Sequence, residues 1–104
     1  MLTTQNNVWV GRAVLALEKT NPKWAEGFRG AFVNVACSAK DIAEAVDLLH
    51  KEFEESKFIL TGLEGFFLTQ MLDRSLTDYE KDLVDRTKEY PVQFKDVHMH
   101  KADA

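Results

Sequence analysis

The chain has 104 residues, a formal net charge of −4 and one cysteine. That length suits a single domain, 1–104, with one modest core, and a lone cysteine excludes an internal disulfide framework and agrees with a reducing cytosol. No apolar run approaches the ~20 residues that span a bilayer. Met1-Leu-Thr-Thr-Gln-Asn-Asn7 lacks the basic-then-apolar order of a signal peptide, so a cytoplasmic location is expected.

The charge is unevenly distributed. Before residue 40 the only acids are Glu18 and Glu26, set against Arg12, Lys19, Lys23 and Arg29. Most of the acidic excess falls on two later helical segments. The basic footprint that nucleic acid requires is missing, so no nucleic-acid role is expected. A basic protein is the better-matched partner, because complementary charge speeds encounter and rejects wrong partners. The plainer reading, acidic helices that keep a small protein soluble, stands beside it.

In chain order, Val8 to Glu18 reads as a first strand, with Trp9, Ala13, Leu15 and Leu17 on one face and Val8, Val10, Val14 and Ala16 on the other. Apolar residues on both faces place it inside a sheet, with Gly11 a candidate bulge. Thr20 to Arg29 is a loop with one helical turn opened by Pro22, packed by Trp24 and Phe28.

Residues 31–63 carry the clearest pattern. Ala31, Val33, Val35 and Cys37 alternate with Phe32, Asn34 and Ala36, giving a strand with Asn34 on the side away from the core. Ser38 and Asp41 read as a capping box, with Cys37 and Ile42 as a hydrophobic staple. A helix follows to about Ser56, burying Ile42, Ala45, Val46, Leu49 and Phe53 along one stripe. Phe58 to Leu63 is a second strand, so the unit is a right-handed crossover, parallel if both strands share a sheet. For 58–72 the expectation is one long bulged strand or two short ones in sequence, against a hairpin near Glu64-Gly65.

Thr77 and Glu80 form a second capping box, opening a helix to about Glu89 whose apolar side is Tyr79, Leu83, Val84 and Tyr90. Pro91 stops it. Val92 to Met99 reads as a last strand with a parity shift between Phe94 and Val97, and Lys101 to Ala104 as a frayed tail. Together these elements predict an α+β two-layer sandwich: two helices packed on one mixed or antiparallel sheet of about four to five strands, ferredoxin-like or a close variant.

No motif specifies an active site. Asp96, His98 and His100 share a face of a regular strand and are of metal-ligating type, but a strand end is a poor rigid cage, and no metal or cofactor is assigned. Cys37 precedes a helix start, where a thiolate is favoured, yet its parity puts it among core residues. His50 borders the buried stripe of the first helix and reads as boundary packing. Gly62-Leu-Glu-Gly65 lacks the lysine and helix of a phosphate loop. Eleven aromatics are many for this core, and Phe32 or Phe67 on an open sheet face would make a partner or dimer patch.

The functional expectation is a small, acidic, non-enzymatic binding protein that neutralises a basic protein, as toxin-neutralising immunity proteins do. Its contact residues would be Asp78, Glu80, Asp82 and Asp85 on the second helix, or Glu52, Glu54 and Glu55 on the first, with Trp24. The alternative is a self-associating domain with a small ligand at a dimer interface, and the third reading is a metal enzyme using Asp96, His98 and His100.

Overall fold

The computed structural model describes residues 7–101. Five strands form one antiparallel sheet: β1 (Asn7–Leu17), β2 (Phe28–Ala39), β3 (Phe58–Leu68), β4 (Val92–Phe94) and β5 (His98–Lys101). The order is β3-β1-β2-β4, with β5 pairing β2 beside β4. Two helices, α1 (Ile42–Glu55) and α2 (Asp78–Arg86), pack on it, which is the α+β class the sequence predicts. β1 and β2 are joined by a loop with a 3-10 turn at Pro22–Trp24, where the ferredoxin-like order has a helix.

β2 and β3 both run antiparallel to β1, so they are parallel to each other, and α1 makes the crossover between them. β1 lies between the two, and its apolar residues are covered by α1 on one face and in part by α2 on the other. Ala13, Leu15, Leu17, Ala31, Val33, Val35 and Cys37 face α1 and pack on Ala45, Leu49 and Phe53. Val10 and Ala36 point the other way and receive Leu83 of α2. The sheet and α1 therefore make two layers, while α2 lies across one end of the opposite face.

Several local expectations shift. The N-cap of α1 is Asp41, whose Oδ1 accepts from the Glu44 amide at 2.9 Å, and not Ser38. β2 continues through Ala39, so Ser38 remains in the strand, and its amide donates to the Pro91 carbonyl. The shift dissolves the Cys37–Ile42 staple and leaves Ile42 half exposed. Residues 58–68 form one bulged strand. The cap of α2 is as read, with Thr77 and Glu80 bonding reciprocally, but the helix ends at Arg86, where the Thr87 hydroxyl turns back onto the Val84 carbonyl. The final strand is two strands, broken at Asp96, which has φ +61°, and Lys101 belongs to β5. Residues 102–104 of the expected frayed tail lie outside the described residues.

Gly11 is required by a crossing. A Cβ there would sit 2.6 Å from Phe66 Cα and 2.9 Å from the Gly65 carbonyl oxygen, both backbone atoms of β3. Gly11→Ala is expected to force β1 and β3 apart and destabilise the fold by about 1–3 kcal/mol. Urea unfolding reads this as a lower midpoint, and an unchanged midpoint would contradict the tight crossing.

Candidate functional site

The acids of α2 are largely engaged within the molecule. Glu80 accepts both guanidinium nitrogens of Arg74, at 2.7 and 2.8 Å, and the Thr77 amide. Arg74 above all holds its carboxyl at about 2, well under the usual carboxylate range. Asp82 is shared by Lys95 at 3.0 Å and Arg86 at 3.1 Å, and Asp85 pairs with Lys88. Only Asp78 of the four has no ion pair among the described residues. Glu80 ties α2 to the preceding loop through Arg74, and Asp82 ties it to the segment after β4 through Lys95.

A depressed Glu80 stabilises the fold above its ordinary carboxylate range, and that contribution is lost as pH falls toward about 2. The acid limb of a stability–pH curve is therefore expected to be shallower in Glu80→Gln than in the native chain. Superimposable limbs would remove the Arg74 pairing from the account.

The acids at the end of α1 are arranged differently. Glu54 and Glu55 are exposed, and no Lys or Arg among the described residues pairs with either or with Glu52. Tyr90, in the segment between α2 and β4, donates its hydroxyl to Glu52 Oε1 at 2.8 Å while its ring stays 50% exposed. The bond to Glu52, with a lesser contribution from Glu55, raises the Tyr90 pKa, which marks both carboxylates as its neighbours. The result is a half-exposed aromatic ring against uncompensated carboxylates. The sequence pattern assigns Tyr90 to the apolar side of the second helix. The helix ends four residues earlier, and the ring turns toward α1 instead.

Trp24 is half buried against the main core, and its ring lies under the Arg29 guanidinium at 3.7 Å. Arg29 also donates to the Trp24 and Phe28 carbonyls, so this loop is bound to itself.

The other half of the α2-side sheet face carries no helix. Phe32, 37% exposed, stands at its centre with His98 stacked at 5.7 Å, His100 at 6.1 Å and the Arg12 guanidinium at 5.1 Å. Gly30 makes room for His100, whose Nε2 would lie 2.7 Å from any Cβ there. His98 and His100 do share a face, as the strand pattern predicts, but Asp96 precedes β5 in the left-handed region and influences Tyr79 instead. Among the described residues no three His, Cys, Asp or Glu side chains converge on a common point. Beside this face, a cleft of about 330 Å³ is lined by Gly11, Arg12, Asn34, Glu64, Arg74 and Glu80, with Arg12 Nε donating to Glu64 at 2.8 Å.

Cys37 is fully buried, with Sγ 3.8 Å from the Ala45 carbonyl. Burial, aided by Glu44, pushes its thiol up to about 12. A thiol reagent at pH 8 is expected to label it only on unfolding, and stoichiometric labelling of the folded chain would contradict its burial. His50 is exposed, at the edge of a shallow cleft with Val46 and Leu60. Neither helix is long and apolar enough to cross a membrane.

Compared with family models, curated proteins and solved structures, the chain matches none.

Proposed function

We propose that this chain is a non-catalytic binding protein that recognises and neutralises a basic protein partner, in the manner of a toxin-neutralising immunity protein. Its contact centres on the end of α1. The observation that carries the reading is Tyr90, half exposed and hydrogen-bonded to Glu52 with Glu55 also close, while none of Glu52, Glu54 and Glu55 pairs with a Lys or Arg among the described residues. A tyrosine beside unpaired carboxylates suits an Arg or Lys of a partner, since the ring supplies apolar contact and the acids supply charge. The α2 acids fit this role less well, because a partner would first have to displace Arg74, Lys95 or Lys88.

The test uses a hexa-arginine peptide as the probe and isotope-labelled protein observed by NMR. Shifts are expected to concentrate at residues 52–55 and 89–91 and to fade at high salt. Shifts centred on α2, or spread evenly over every acid, would overturn the assignment.

A second reading, a self-associating domain that takes a small ligand, is favoured by Phe32 between His98 and His100 on the uncovered sheet face. There two imidazoles and a guanidinium lie within about 6 Å of one exposed ring, an arrangement that suits a planar ligand.

A further inference from the structure

β3 is an edge strand of eleven residues, and among the described residues nothing pairs with its outer side. Proteins ordinarily protect such an edge with lysine, proline or shortness. The opposite edge of the sheet is protected in that way: β4 has three residues, and β5 carries His98, His100 and Lys101. β3 has neither lysine nor proline, and its only charged residue is Glu64.

The register of β3 against β1 shifts twice, between Val14 and Leu15 and between Val10 and Arg12. Each shift inserts one extra residue into β3, at Thr61 and at Gly65 (φ +56°). Phe58, Leu60, Leu63, Phe66 and Leu68 lie on the α1 side, four of them opposite Leu17, Leu15, Ala13 and Trp9, with Phe66 buried against Trp9. Ile59, Gly62, Glu64 and Phe67 lie on the open side, opposite Ala16, Val14, Arg12 and Val10. Reversing the strand about Leu63 maps each set onto itself. Phe58 exchanges with Leu68, Leu60 with Phe66, Ile59 with Phe67, Gly62 with Glu64, and Thr61 with Gly65.

A two-fold interface needs this property, because the same surface must meet itself with residue i against j and j against i. In a strand, the side-chain facing must also agree at every opposed pair. Bulged edges usually resist pairing because the irregularity meets a regular strand. Here each extra residue would meet the extra residue of the other copy.

From this we infer that a second copy of the chain is the partner of the β3 edge. The two β3 strands pair antiparallel about an axis at Leu63 and join the two sheets into one of ten strands. Ile59 (45% exposed) and Phe67 (53% exposed) then become aromatic–β-branched cross-strand pairs at both ends of the seam.

Equilibrium sedimentation of the full chain and two double variants tests this. Both variants carry changes only at exposed positions, and circular dichroism checks that the fold is kept. The native chain is expected to be a dimer, and Ile59→Glu with Phe67→Glu a monomer whose dimer dissociation constant is weaker by about a hundredfold or more, since like charges would be opposed. Ile59→Lys with Phe67→Glu opposes unlike charges in this register alone and is expected to remain dimeric. A monomeric native chain overturns the proposal. So does a dimer indifferent to the double glutamate, or a monomeric Lys/Glu variant.

Discussion

Phe53→Ala is expected to cost about 3–5 kcal/mol. Phe53 is fully buried at the end of α1, and its ring packs on Phe94 with centroids 4.8 Å apart. It therefore ties the crossover helix to β4, which otherwise pairs with β2 and touches α2. Truncation removes apolar area and leaves a void between α1 and β4 that neither can close without breaking the β2–β4 pairing. Against a total stability of ~5–15 kcal/mol this is a large fraction. Urea unfolding should show a strongly lowered midpoint. Ile42→Ala supplies the contrast, since Ile42 belongs to the same apolar stripe in the sequence but is half exposed, and it is expected to cost under ~1 kcal/mol. Similar costs for the two would contradict the packing described.

Replacing Glu52, Glu54 and Glu55 together by Lys is expected to weaken association with a basic partner by about a hundredfold or more, mainly through slower encounter, with little loss of fold stability. Among the described residues the three carboxylates pair with no cation, and their reversal breaks one side-chain bond, that from Tyr90. The same reversal at Glu80, Asp82 and Asp85 would break the Arg74, Arg86, Lys88 and Lys95 pairs and is expected to register chiefly as lost stability. The two triple variants thus separate a binding surface from a structural one. Equal binding loss from both would place the contact elsewhere or spread it over the whole acidic surface.

The crossover unit and the parity of β1 and β2 were legible in the sequence because strand alternation and helical spacing are local patterns. So was the Thr77–Glu80 box, a short-range hydrogen-bond signature. The misplaced cap at Ser38 shows where local reasoning stops. Ser38 and Asp41 are both good caps, and the choice was made by β2 continuing to Ala39 in pairing with Asn7 of β1. The side of the sheet that α2 covers was not legible either. Val10 and Ala36 are apolar on the face away from α1, but only the register that sets them opposite each other shows that they form one landing site for Leu83. Of the candidate contact residues, sequence identified the acids and not their partners. Whether a carboxylate is free or already paired depends on Arg74, Lys95 and Tyr90, which reach it from other segments.

The most direct test is affinity capture from native lysate, run in parallel with the native chain and the Glu52, Glu54 and Glu55 to Lys variant as baits. One basic protein is expected to be retained by the native bait at one-to-one stoichiometry and lost from the variant. Retention of the same proteins by both baits would contradict it.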